Sequence, residues 1–153
     1  MATLRHQVWM SAPISTVYEA LASAEGLGHW WAPHTASRTD AGLVLSHDPG
    51  EQHGRVDMKV IESSPARRVE WEIISRHPRR SPASAWTGTR ISFDLSERDN
   101  PGAWMGMDPA RPRLSVLDFS HSGWDEDSEF FGFCNFAWGE TLVGLKRWCE
   151  AAS

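Results

Sequence analysis

Cysteine is scarce in this chain: Cys134 and Cys149 are the only two among 153 residues. Both fall in one segment that reads as a helix, about 22 Å of rise apart, too far to bridge each other. Two free thiols predict a reducing compartment, the cytoplasm. No apolar run approaches the roughly 18 residues of a membrane span, and "MATLRHQVWMSAP" lacks the apolar centre of a signal peptide. Positive charge is also short, with 15 Lys and Arg against 20 Asp and Glu and a formal net charge of −5. That balance, with its basic residues scattered, excludes a nucleic-acid backbone binder. Phosphate-binding glycine loops, nucleophile elbows and CxxC pairs are absent, so no catalytic signature and no resident cofactor is predicted. Tryptophan is the surplus: nine residues, two of them adjacent in "GLGHWWAP" (26–33).

Hydrophobic residues make up 41% of the chain and charged ones 23%, a globular composition. With no composition shift along it, residues 1–153 predict a single domain.

Leu4, His6, Val8 and Met10 alternate with Arg5, Gln7 and Trp9, which predicts a strand. "SAPISTVYEALASAEG" follows, with Ser11 available to cap, Pro13 suited to a first turn, and Ile14, Val17, Tyr18 and Leu21 at helical spacing. A second short helix over about 24–31 ends before Pro33. Strand patterns then cover Leu43–His47, Arg55–Glu62, Arg68–Ser75, Thr89–Ser96 and Arg113–His121. No helix intervenes, so the strands form an antiparallel meander of about six with one apolar face. A closing helix is predicted over 128–151, with acidic residues before it and "KRW" near its end. Phe131, Asn135, Trp138, Leu142, Leu145 and Cys149 step along it by fours and threes as one stripe. A sheet with one apolar face needs a cover, and only this helix is long enough. The fold class is α+β: a helix-grip, with a curved antiparallel sheet wrapped around a long C-terminal helix and two short helices after strand 1.

At this point the residues resemble a known family. Ala12-Pro13 before a helix with Val17 and Leu21, then Gly26-Leu27, then Trp30-Trp31, are similar to the opening of START-like (SRPBCC) proteins. The similarity is to the branch named after the activator of the ninety-kilodalton heat-shock-protein ATPase. "HSGW" (121–124) leading into a helix with Trp138, Leu142 and Leu145-Lys146 resembles the other end, and "GRVDMKVIESSPARRVEWEI" its central hairpin. The resemblance implies a cavity between sheet and long helix that holds lipid, sterol or polyketide-like molecules in many relatives. In a minority it serves cyclases, aromatases or hydrolases, and one eukaryotic relative regulates a chaperone. Two hairpins depart from the pattern: "HPRRSPASAW" (77–86) is long and basic, and "ERDNPGAWMGMDPARP" (97–112) is an insertion. Trp104, Met105 and Met107 in it would serve as a lid or a contact surface.

On this frame the expected function is binding of a small apolar or amphipathic ligand. Trp30, Trp31, Trp71, Phe93, Phe119, Phe131 and Trp138 are the expected walls, one of Trp30 and Trp31 in the core and the other near the opening. His121 and Asn135 are expected to orient a polar end. His121 shares parity with Ser115, Leu117 and Phe119, whereas Asp118 points the other way; the alternative role for His121 is a structural one at the strand–helix corner. Gly132, Gly139 and Gly144 predict close packing of the helix. "SHDPGEQHG" fits no metal-ligand spacing, so no metal site is predicted. Two further readings stay open: a cyclase- or hydrolase-like enzyme with His121 as acid or base, and a chaperone-modulating or stress-response module with a protein partner or a second copy of the chain.

Overall fold

The computed structural model describes residues 1–103 and 106–153; Trp104 and Met105 lie outside the described residues. The described residues form a seven-stranded antiparallel sheet and three α-helices. In chain order these are β1 (Ala2–Met10), α1 (Ile14–Leu21), α2 (Ala24–Gly28), β2 (Thr35–Thr39), β3 (Gly42–His47), β4 (Val56–Ser64), β5 (Arg68–Ile73), β6 (Arg90–Asp99), β7 (Arg113–Trp124) and α3 (Phe131–Ala151). The sheet order β1-β7-β6-β5-β4-β3-β2 is a meander whose last strand returns to pair with the first.

Directly paired residues share a face, so register decides what looks inward. One row across the sheet runs Leu4, His121, Ile91, Trp71 and Val60. Beside it lie His6, Phe119, Phe93 and Val69. On the opposite face Arg68 pairs with Glu70 and Asp94, and Arg90 with Glu70 and Glu72, a ladder of partly exposed ion pairs that keeps that face wet. The carboxylates around Arg68 raise its pKa further above the ordinary arginine value.

α3 crosses the apolar face. At 21 residues it is about 31 Å long. It starts three residues later than its pattern suggests, because Ser128 is used in a preceding turn: its Oγ accepts from the Phe130 N–H at 3.2 Å. The buried stripe is Cys134, Trp138, Leu142, Leu145 and Cys149. Asn135 is a correction. It sits about 60° around the helix from Trp138, its side chain is exposed, and only its carbonyl is used, accepting from His6 Nε2 at 3.2 Å. Close packing holds at Gly144, where an added Cβ would lie 3.1 Å from the Trp30 carbonyl oxygen, but not at Gly132, which faces open space.

β2 has no counterpart in the sequence reading. Its five residues, TASRT, are all exposed and carry no alternation, as suits an edge strand paired on one side only. The second helix is shorter than predicted, ending at Gly28 and freeing Trp30 and Trp31 from helical spacing.

Candidate ligand-binding site

The expected cavity is largely filled by the side chains expected to line it. Phe93 packs edge-on against Trp71 and Phe119, with ring centroids 4.9 and 5.4 Å apart, and Phe119 meets Trp138 at 4.6 Å. Trp71, Phe93 and Phe119 are fully enclosed. Phe131 is half-buried and lies edge-on to Trp124 at 5.6 Å, away from this cluster. What stays open at the grip is a recess of about 130 Å³ lined by Trp31, Trp86, Cys134, Ala137, Trp138 and Thr141. Of the predicted walls, Trp31 and Trp138 border it.

The adjacent tryptophans have separate roles. Trp30 is buried, its indole N–H donating to the Ala20 carbonyl at 2.8 Å, which locks it between α1 and α3. Trp31 is half-buried at the opening. Its ring touches those of Trp138 (5.3 Å), Trp71 (6.1 Å), His47 (4.7 Å) and His34 (5.0 Å).

Trp86 is the wall the sequence reading missed. The segment after β5 makes a 3₁₀ turn over Pro82–Ala85, started by Ser81, whose Oγ accepts from the Ala83 N–H. This turn delivers Trp86 onto Trp138 in a near-parallel stack at 5.7 Å and 14°. The Ser-Pro pair followed by a tryptophan in "RRSPASAW" was the available signal. The other insertion also folds back: Met107 is buried, and the Asp108 N–H donates to Ser11 Oγ at 2.9 Å.

His121 is inward, as its parity predicts, and fully buried, but the protein occupies both its nitrogens. Trp138 Nε1 donates to Nδ1 at 3.1 Å, which puts the ring proton on Nε2. Nε2 then donates to Thr89 Oγ1 at 2.7 Å, and that hydroxyl donates to the Trp86 carbonyl at 2.5 Å. Burial lowers the His121 pKa to about 3, so the imidazole is neutral. A general base or a ligand anchor needs a nitrogen within reach of its target. His121 offers neither nitrogen; it ties β7 to α3 and to the segment that leads into β6, at the strand–helix corner. Asp118, on the outer face, accepts from Gln7 Nε2 at 2.9 Å.

Three side chains whose rings touch Trp31 carry polar atoms with no partner. His34 Nε2, His47 Nδ1 and Trp71 Nε1 are buried without a hydrogen bond, each a cost of about 1–3 kcal/mol if it stays so. Burial lowers the His47 pKa to about 4, with His34 adding to the effect, and burial lowers that of His34 too. The thiols are inert: burial raises the Cys134 pKa and lifts that of Cys149 to about 12. Among the described residues no three His, Cys, Asp or Glu side chains are grouped to hold a metal ion, and no helix is long and apolar enough to cross a membrane.

A larger and more open groove, about 510 Å³, runs on the other side of α3 along the edge strand β1. His6, Val8, Trp9, Met107, Leu142 and Val143 contribute to its walls. Its size exceeds that of the recess, but it contains no orphaned buried nitrogen.

Comparison with known proteins bears on the fold. No family model and no curated protein matches the sequence. Solved structures do. The Aha1 dimer from Colwellia psychrerythraea is 27% identical with a TM-score of 0.68, over 98% of this chain and 97% of that one. Protein MLL2253 from Mesorhizobium loti has a TM-score of 0.72 at 14% identity, over 99% of both chains. DynU16, described as a putative protein of the dynemicin biosynthetic locus, has a TM-score of 0.63 at 18% identity, over 99% of this chain and 48% of that one. The chain has a helix-grip fold of the START-like kind and is similar, over nearly its whole length, to the Aha1 protein of Colwellia psychrerythraea.

Proposed function

We propose that the chain binds a small apolar or amphipathic molecule in the recess between Trp31, Trp86 and Trp138. The supporting observation is that Trp31, which lines this aromatic recess, also touches three side chains whose buried nitrogens lack partners. Burial of ligand surface contributes about 2.5 kcal/mol per 100 Å², so micromolar affinity without covalent chemistry needs about 330 Å² of ligand surface held against aromatic walls. The inert thiols are consistent with a reducing, cytoplasmic setting. In a competition experiment, 1-anilinonaphthalene-8-sulfonate should bind saturably with a blue-shifted emission. Ala137→Phe, which fills the recess, should weaken that binding at least tenfold with little change in thermal midpoint. Equal binding by both proteins would move the site elsewhere, and the β1 groove would be the next place to look.

A second reading rests on a different surface. Phe133 and Phe136 are 61% and 67% exposed on α3, and Val143 is 43% exposed on the same side. The Colwellia relative is described as a dimer in solution. This supports self-association through α3, as weak homodimer formation.

A further inference from the structure

The ring of Trp31 touches three of the four side chains that carry a buried nitrogen without a partner: His34, His47 and Trp71, the fourth being Trp124. A shared neighbour of three unsatisfied groups is the place where a molecule that satisfied them would sit. We propose that the Trp31 indole occupies the seat of a flat aromatic ligand carrying a hydroxyl group, and that it swings aside to admit that ligand. This rests on the recess being the binding site and specifies what it takes.

The recess alone is too small. At about 130 Å³ it falls well below the roughly 300–1,000 Å³ of pockets that enclose drug-sized ligands. Moving the indole adds its own volume to the recess, and that volume borders the rings of His34, His47 and Trp71. Trp31 is also the tryptophan free to leave. Trp30 is anchored by its bond to Ala20, whereas the Trp31 indole makes no hydrogen bond among the described residues and sits half-exposed between the end of α2 and Pro33. A planar ring in its place inherits its neighbours, Trp71 near-parallel at 20° and Trp138 tilted at 55°.

The chemistry of the polar end follows from tautomers. His34 Nδ1 donates to the Ala32 carbonyl at 2.6 Å, so its Nε2 carries a lone pair and wants a donor. The His47 ring lies 4.5 Å away with Nδ1 also unpaired. Two neutral imidazoles in a buried site favour a hydroxyl, which donates, over a carboxylate, which only accepts and brings a charge to desolvate. The buried Trp71 N–H suits an oxygen on the same ligand.

The test compares 2-naphthol with 2-methoxynaphthalene, naphthalene and 2-naphthoate, on wild type and Trp31→Ala, by calorimetry. Trp31→Ala should bind 2-naphthol at least tenfold tighter than wild type does, and at least tenfold tighter than it binds the other three. Adding His34→Phe should erase the preference. If Trp31→Ala binds naphthalene and 2-naphthol equally well, the hydroxyl seat is overturned while the recess stands as an apolar site. If it is folded by circular dichroism and binds none of the four, both readings fall. Should Trp31→Ala fail to fold, imidazole ¹⁵N spectra of the wild type under saturating 2-naphthol decide: the His34 Nε2 resonance must move, and a stationary one overturns the proposal.

Discussion

At the scale of single residues the histidines carry a pH prediction. His121 and His47 have folded pKa values lowered to about 3 and about 4, against the ordinary 6.5 of an unfolded chain. Below 6.5 the unfolded state therefore binds more protons than the folded state, so stability rises with pH across this window. It is complete above about pH 6.5 and drains as pH falls toward 4. Each buried histidine approaches a slope of about 1.4 kcal/mol per pH unit. From pH 6 to 4.5 the two together set an upper limit of about 4 kcal/mol. Urea midpoints measured at half-unit intervals should show this decline, and His47→Gln should make it shallower. A flat profile between pH 6.5 and 4.5 would mean that the histidines are solvated. Removing His121 acts differently. His121→Ala strands the Trp138 N–H and opens a cavity, which should cost about 3 kcal/mol even at pH 7.5. If the structural role is right, this loss of stability accounts for any loss of function, and ligand affinity recovers at low temperature.

At the scale of elements, the packing of α1 on α2 turns on one atom. A Cβ added at Gly26 would fall 2.2 Å from the Glu19 carbonyl oxygen and 2.9 Å from Ala20 backbone atoms. Backbone cannot rotate away as a side chain can, so Gly26→Ala should destabilise by about 3 kcal/mol. That corresponds to roughly 6–12 °C in thermal midpoint for a domain of this size. Gly28→Ala, whose added Cβ meets nothing within 4 Å, is the control and should leave the midpoint nearly unchanged. Elements were legible in proportion to their burial pattern. β5 alternates strictly in burial, and β6 alternates in residue type though Ser92 is buried, because one face meets the core and the other meets the Arg68 and Arg90 ion pairs, so their register could be read directly. β2 was invisible because an exposed edge strand has no face to advertise. The stripe on α3 matches from Trp138 onward; Phe131 is only half-buried, and at Asn135 spacing alone could not choose between positions 134 and 135, both within about 60° of the helix's buried line. Trp86 escaped because its position depends on a turn rather than a period, and the choice between Trp30 and Trp31 for the opening stayed unread because it depends on neighbours from β3, β5 and α3.

At the scale of the whole molecule, the distribution of exposed apolar surface limits how this chain can self-associate. Two phenylalanines of about 200 Å² each, some two-thirds exposed, and a partly exposed valine give a patch of about 300 Å². That is ordinary for a monomer, whose largest patch runs to about 300–600 Å². A stable interface needs about 800 Å² per partner, so the patch must recruit the neighbouring β1 groove, to which Val143 also belongs. Even then α3 gains only a few anchors, and the dimer should be weak and concentration-dependent. Sedimentation velocity is expected to show monomer at about 5 μM and a growing dimer fraction at several hundred μM. The double variant Phe133→Ser/Phe136→Ser should remain monomeric throughout, and because both side chains face water its thermal midpoint should hold. A wild type that stays monomeric at 500 μM would remove the second reading. The recess opens between Trp31 and Trp86, whereas the patch occupies the exposed side of α3. Ligand affinity should therefore be the same at both concentrations, and a ligand that shifted the monomer–dimer balance would reveal coupling through α3 itself.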